Sequence, residues 1–444
     1  MTPTAETRKR RSSPLRALRH RNYRLFFFGQ MVSLSGTWMQ SVAQAWLIYR
    51  LTDSPFFLGL IGFANNFPVF FIAPFGGALA DRIPRRSILI ATQATSMTLA
   101  FMLAAMTLSG RIEAWHLFVF ASTLGIVNGF DIPARQAFAA EMVDRDDLVN
   151  AIALNSTVFN TARVVGPAIA GILVALVGEG WCFFINAVSY IAVLAGLLQM
   201  RLAPPGPSQG KDSTFQAIAG GFRFAGSTGP IRALLLLLTV VSFTGMPFGV
   251  LMPIFANEIL GRGAEGLGIL MGATGVGALL GSITLATRGS VIGLGRWVAR
   301  ASIGFGISLV LFSFSRSFTL SVALLIPVGF SMIVSMASSN TLIQSMVPNE
   351  IRGRVMAVYS MVFMGGAPLG ALLAGTLADG LGAPATVAIG GALSVLAGSI
   401  FWLRLPAHRF VARRLILAQQ MAGGEPAQEI TGSGAIPDID DEKF

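Results

Sequence analysis

Gly77-Ala78-Leu79-Ala80-Asp81-Arg82-Ile83-Pro84-Arg85-Arg86 closes an apolar run over residues 55–80. The run exceeds the ~20 residues a helix needs to cross a bilayer, and it ends in four charges within residues 81–86. The same junction of lipid-length run and charge recurs along the chain and decides the fold. Apolar runs lie near 25–49, 55–80, 87–109, 114–134, 150–177 and 181–200. A second set lies near 231–256, 266–287, 297–315, 318–343, 355–378 and 384–404. Each run is expected to be helical, because a lone segment in lipid must satisfy its own backbone hydrogen bonds. A membrane barrel would need about ten-residue alternating segments, and these runs neither alternate nor stop so early.

Composition agrees. Of 444 residues, 53% are hydrophobic and only 12% charged, with a mean hydropathy of +0.68. A soluble domain carries about 25% charged residues, so too few charges remain here to cover a water-facing surface. Disorder demands the reverse composition. The single cysteine, Cys182, excludes an intramolecular disulfide and a multi-cysteine metal site. The three histidines, His20, His116 and His408, are far apart in sequence, and no metal or cofactor is expected.

The net charge of +11 is not a nucleic-acid signal, because the basic residues punctuate apolar runs. With the N-terminus inside, 27 of the 32 Lys and Arg residues fall in cytoplasmic segments. Arg50, Arg111, Arg262 and Arg316 fall outside, and Arg163 lies within a span. This positive-inside bias predicts two cytoplasmic termini and an even number of spans. The Arg-rich start resembles a transit peptide in composition, but reads as a topology-setting tail.

The predicted organisation is all-α: a basic tail (1–24), a six-helix bundle (25–200), a Pro/Gly-rich cytoplasmic linker (201–230), a second six-helix bundle (231–405) and a largely disordered cytoplasmic tail (406–444). Residues 215–224 within the linker read as a short amphipathic surface helix. Six plus six suggests two parallel repeats. Gly166-Pro167 with Gly171 in span five and Pro368 with Gly375 in span eleven occupy matching places about 201 residues apart.

The 77–86 stretch resembles the loop 2-3 signature of the major facilitator superfamily, with Pro84 in place of a Gly and Arg86 in place of a Lys. The second-half counterpart near 288–296 lacks the acid. Asn128-Gly-Phe-Asp131-Ile-Pro133-Ala-Arg135, together with Asn160-Thr-Ala-Arg163-Val-Val-Gly166-Pro167, is similar to the bacterial branch that includes the enterobactin exporter and macrolide-efflux proteins. The resemblance covers about residues 20–405. It implies twelve helices in two rocking bundles and a monomer in the lipid bilayer with small-molecule substrates. It also implies a gate in which Asp81, Arg85 and Asp131 hold the outward-facing state, and an exporter motif at Gly166, Pro167 and Gly171.

The residues add detail of their own. Asp81 can meet Arg85 one turn on; Arg82 and Arg86 complete the cluster, and Gly77 is expected to let another helix approach. Gln30, Ser33, Thr37, Gln40 and Gln44 step by three and four residues and share one helix face. That stripe either lines a substrate cavity or makes interhelical hydrogen bonds. Asn128, Asn160 and Arg163 are further cavity candidates. An arginine near mid-span is a functional residue by default; Arg163 meets either an anionic substrate group or Asp131. Coupling to protons needs a group that changes charge, and Asp131 is the candidate.

The leading function is proton-coupled efflux of amphipathic small molecules, drugs or siderophores, by alternating access. A lysophospholipid or lipid flippase, or an importer, is the same-fold alternative; a non-transporting sensor is the alternative of another class. An enzyme is not expected, since no span pairs a nucleophile with a base.

Overall fold

The computed structural model describes residues 15–139, 141–144, 147–201, 214–288, 291 and 293–422. The expectations for residues 1–14 of the basic tail, 202–213 of the linker and 423–444 of the final tail lie outside the described residues. A 3₁₀ turn (Arg16–Arg19) leads into α1 (Arg21–Thr52), α2 (Pro55–Ala80), α3 (Arg85–Leu108), α4 (Ala114–Ala139), α5 (Leu148–Val177) and α6 (Glu179–Gln199). A surface helix α7 (Thr214–Ser227) follows. The second bundle comprises α8 (Gly229–Ile259), α9 (Gly263–Arg288), α10 (Leu294–Phe314), α11 (Phe318–Met346), α12 (Asn349–Leu381) and α13 (Ala383–Ala422).

Eleven of these helices are long and apolar enough to cross a membrane. We count α1 as the twelfth; its glutamines and hydroxyls lower its hydropathy, not its length. An even number returns the chain to its starting side. We call that side the terminal face, and the other the opposite face.

The repeat is visible in the turns. Gly178 between α5 and α6 has φ +86°, and Gly382 between α12 and α13 has φ +82°. Each reverses the chain on the opposite face in a left-handed conformation that glycine adopts without a Cβ penalty. The bundles pack alike: α2 lies on α4 and α3 on α6, while α9 lies on α11 and α10 on α13.

Two elements depart from the sequence reading. The last helix does not end near 404 with a disordered tail from 406; it runs through Pro406 to Ala422. Ala412, Leu415 and Ile416 form an apolar face packed against the core, which keeps this stretch ordered. The seventh span is also not one regular helix. It changes to π geometry over Val241–Gly245, 3₁₀ over Met246–Leu251 and π again over Phe255–Ile259. Pro247 and Pro253 remove backbone donors there, and irregular backbone in a membrane is tolerated where protein covers it.

Candidate functional site: the seam between the bundles

The halves meet along two seams. Gly59 on α2 faces Gly375 on α12, and Gly171 on α5 faces Gly268 on α9. A Cβ on Gly59 would lie 2.9 Å from the Gly375 Cα, and one on Gly171 would lie 3.0 Å from the Gly268 Cα. Small residues thus let the backbones touch, the basis of helix association in lipid. These contacts sit toward the opposite face. Tyr49 reinforces that end: its hydroxyl donates to Glu258 Oε1 at 2.8 Å and accepts from Asn257 Nδ2 at 3.2 Å, joining α1 to α8. Beside it lies a cavity of about 460 Å³ lined by Trp46, Arg50, Val174, Glu179, Arg262 and Glu265. The Arg50 and Glu179 side chains pair there at 2.9 Å.

Deeper in the seam, the Trp38 and Phe159 rings meet edge-on with centroids 5.7 Å apart. The Arg163 guanidinium lies 5.7 Å from the Trp38 ring centroid. Its Nη2 is 3.9 Å from Met332 Sδ across the seam. Among the described residues no carboxylate lies within ion-pair distance of Arg163. The pairing with Asp131 considered from sequence is therefore not formed, because Asp131 is held elsewhere. Gly166 seats α5 against Ser35, Trp38 and Met39 of α1, while the Pro167 carbonyl lies under Gly268. Gly166, Pro167 and Gly171 are thus packing points, two of them across the seam.

Asp131 on α4 is buried inside the first bundle. Thr92 Oγ1 and Gln93 Nε2 both donate to its Oδ1 at 2.8 Å, and Arg135 Nε approaches its Oδ2 at 3.3 Å. Arg135 also donates to Gln30 Oε1 at 3.3 Å. The expected trio of Asp81, Arg85 and Asp131 is accordingly split. Arg85 Nη1 bonds Glu141 Oε1 at 2.6 Å and its Nη2 lies 3.8 Å from Asp81. Asp131 lies eight residues before the end of α4, about 12 Å deeper at 1.5 Å per residue, beyond the reach of Arg85. Arg86 donates to the Leu198 carbonyl at 3.0 Å, and Arg82 is exposed. The close approach expected at Gly77 occurs instead at Gly76, which packs against Gly129 and Phe130; among the described residues nothing lies within 4 Å of a Cβ on Gly77.

The α1 stripe faces into its own bundle. Gln30, Ser33, Gln40 and Gln44 are buried and Thr37 is half-buried. Gly36, on the same face, meets Asn186 and Ser189 of α6. Asn186 Nδ2 donates to Gln40 Oε1 at 2.7 Å. Gln40 and, through Arg135, Gln30 are thus engaged in interhelical hydrogen bonds, while the buried Gln44 Nε2 has no hydrogen-bond partner among the described residues. Asn160 turns its amide onto the Ser156 carbonyl of its own helix at 2.8 Å, and Asn128 is half-buried on α4.

A further cluster escaped the sequence reading. The Asp147 side chain is fully buried below the terminal-face end of α5. Arg16 pairs with its Oδ1, Arg19 Nη2 lies 2.8 Å from its Oδ2, and His20 Nε2 lies 2.7 Å from the same oxygen. The His20 hydrogen bond, with help from Arg16 and Arg19 and against desolvation, holds the Asp147 carboxyl below its ordinary range. Asn150 Oδ1 accepts the Ala17 N–H at 2.8 Å, so the entry to α1 is clamped to α5. Arg16 and Arg19 had read only as topology charges; the missing signal was an acid followed three residues later by Asn150. Among the described residues, no three His, Cys, Asp or Glu side chains gather as metal ligands would.

Comparison with known proteins now fits this geometry. A family described as transmembrane secretion effector matches residues 12–431. The staphyloferrin A transporter of Staphylococcus aureus is 24% identical over 88% of this chain and 96% of its own length. The multidrug efflux pump Tap of Mycolicibacterium fortuitum is 26% identical over 82% and 90%. The enterobactin exporter EntS of Shigella boydii serotype 4 is 27% identical over 83% and 86%. In structure, a bacterial homologue of the human lysosomal transporter Spinster, crystallised inward-facing and occupied, superposes with a TM-score of 0.66 at 16% identity, over 92% of this chain and 99% of that one. The chain is a multi-pass membrane protein and belongs to the transmembrane secretion effector family of major facilitator transporters.

Proposed function

We propose that this protein exports amphipathic small molecules with an anionic group, of the siderophore or drug type, from the cytoplasm by proton-coupled alternating access. The observation that carries the substrate class is Arg163, set at the seam beside Trp38 and Phe159 with no acidic partner among the described residues. An arginine at that depth is costly unless something answers its charge. The aromatic pair offers a face to an apolar body, and Met332 on the other bundle offers an adaptable one. The relatives named as siderophore and drug transporters support the same class.

The terminal face is cytoplasmic, on the positive-inside count. The opposite-face seams are closed, so we take this as the inward-facing state. Opening the other way requires Gly59 to leave Gly375, Gly171 to leave Gly268, and Tyr49 to release Glu258. Asp81, Arg85 and Glu141, already paired within the first bundle, are then the terminal-face surface on which the second bundle closes. Asp131 is the proton-coupling carboxylate, linked through Arg135 to α1.

The test is a susceptibility and accumulation panel in an efflux-deficient host, with siderophore export measured alongside. Arg163→Gln is expected to abolish export of anionic compounds, with Arg163→Lys restoring part of it. Equal export of neutral and anionic compounds by both variants would remove the substrate assignment. In proteoliposomes, full proton-driven efflux by Asp131→Asn would remove the coupling role. The only cysteine, Cys182, is buried, so accessibility labelling starts from a quiet background. Asp81→Asn is expected to change labelling of cysteines placed on the terminal face; unchanged labelling would remove the gate.

A further inference from the structure

A groove of about 230 Å³ lies far from the seam, between the first turns of α8 and the distal part of α13. Its wall is apolar: Leu236, Ile400 and Phe401. Its mouth carries two arginines, Arg232 and Arg404, with the His408 imidazole beside them. Among the described residues neither arginine has an acidic partner, and no carboxylate lines the groove. The N-terminus of α8 adds to the positive end, since Thr228 gives it no side-chain cap and the first backbone N–H groups of a helix carry partial positive charge. His408 closes over that terminus, its Nδ1 lying 3.6 Å from where a Cβ on Gly229 would sit.

The depth of these groups is set by helix geometry. Helix α13 has 40 residues, about 60 Å at 1.5 Å per residue, twice the ~30 Å hydrocarbon thickness. Arg404 lies about 32 Å along it, at headgroup level. Trp402, exposed on the adjoining turn and 5.5 Å from Arg300, belongs where aromatic side chains collect at the membrane surface. Arg232 is three residues into α8, which enters from the same face. Ile400 and Leu236 each lie one turn deeper than their arginines, both exposed on the outside of the bundle.

We propose that this groove binds an anionic phospholipid of the terminal-face leaflet, its phosphate held by Arg232, Arg404 and the α8 N-terminus and one acyl chain laid against Leu236, Ile400 and Phe401. Charge complementarity selects the occupant. Basic pockets between transmembrane helices recognise anionic headgroups; an uncharged lipid offers the arginines no phosphate, and a zwitterionic one brings a quaternary ammonium of like charge beside them. The site ties the start of the second bundle to its last helix. It does not depend on the transport assignment.

The test is lipid binding to the purified full-length protein in detergent, read by native mass spectrometry with phosphatidylglycerol against phosphatidylcholine. Wild type is expected to prefer phosphatidylglycerol about tenfold or more, near what two arginines at a membrane surface supply. Arg232→Gln with Arg404→Gln is expected to bring the preference within twofold, while the double Lys variant retains it. Should the Gln pair not remain monodisperse, Leu236→Glu sets an acid on the groove wall and is expected to remove the same preference. Equal binding of both lipids by wild type, or an unchanged preference in the Gln pair or in Leu236→Glu, would overturn the proposal. So would displacement of the lipid by millimolar inorganic phosphate, which would make the site one for a free anion.

Discussion

The two bundles share a fold but not a chemistry. The first buries Asp131, Asp147 and Glu179 with the amides Gln30, Gln40, Gln44, Gln93 and Asn186. In the second, every buried polar side chain among the described residues is Ser or Thr. The difference has a mechanical meaning. A hydroxyl can bond the carbonyl four residues back on its own helix, as Ser339, Ser394 and Thr274 do, and so asks nothing of its neighbours. A buried carboxylate can only accept, so Asp131 draws donors from Thr92 and Gln93 on α3, and the buried Asn186 amide reaches Gln40 on α1. The first bundle is therefore cross-tied by directional bonds between helices. The second relies more on close packing, with lighter ties such as Ser302 to Ser335 and Tyr359 to the Met336 carbonyl, and it alone contains the broken helix α8. The second is the more deformable half, suited to move about a stiffer first.

The strongest break comes where the bundles are alike, at the glycine seams. Gly268→Leu would drive a side chain into the backbone of α5, and overpacking of this kind costs about 1–3 kcal/mol. Export is expected to fall more than tenfold, because the opposite face can no longer close. Gly380→Ala on α12 is the control: nothing lies within 4 Å of its Cβ among the described residues. Helix propensity alone predicts up to about 1 kcal/mol of stabilisation there. Transport and melting in detergent check both; normal export by Gly268→Leu would mean the seams do not gate.

The next effect separates the halves. Asp131→Leu removes two hydrogen bonds and strands Arg135, at a cost of about 3 kcal/mol, the lower end for a broken buried pair, since Arg135 keeps 26% of its side chain exposed. Ser335→Ala in the second bundle loses one neutral interhelical hydrogen bond to Ser302, about 0.6 kcal/mol. Similar losses in detergent melting would mean that the chemical difference carries no structural weight.

The N-terminal clamp is local. The Asp147 carboxyl titrates below its ordinary value in the folded protein. Its contribution is thus fully present above the unfolded value near 4 and is lost as pH falls through the lower folded one. Limited proteolysis near Arg16 is expected to be slow at neutral pH and to accelerate only in strong acid. Asp147→Asn should bring that cleavage to neutral pH without changing the bundle's melting. Release of wild type already at pH 6 would mean that the Asp147 carboxylate does not hold the clamp.

How much of this could be read from sequence follows from what each feature depends on. Span number, the repeat and the surface helix rest on local composition and length, and were legible. The seam motif Gly166-Pro167-Gly171 was legible as a feature, but its partner, Gly268, is a long-range fact. The α1 stripe shows the limit most clearly. Helical spacing puts Gln30, Gln40 and Gln44 on one face, yet it cannot say which way that face points. Gly36 against Asn186 turned it toward α6. Arg85 was likewise visible, but its choice of Glu141 over Asp131 depends on depth along α4. Asp147 went unseen because its partners lie 127 to 131 residues away.

The smallest effect tests whether the cross-ties of the first bundle act together. Asn186 and Gln40 are joined at 2.7 Å, and Ser302 and Ser335 at 2.8 Å. Interhelical hydrogen bonds in membrane proteins average about 0.6 kcal/mol in double-mutant cycles, too little for either pair to matter alone. Cycles through Asn186→Leu with Gln40→Leu, and through Ser302→Ala with Ser335→Ala, compare the halves on equal terms. If the amide pair works only as a pair, both cycles give the same small coupling. If it belongs to a network running from Ser189 through Asn186 to Gln40, its coupling exceeds that of the serines, since linked hydrogen bonds polarise one another. The stiff-half reading requires the second result. Equal couplings would leave Asp131 and its partners as the sole source of the difference, and would move the stiffness from the face of α1 to the contact of α3 with α4.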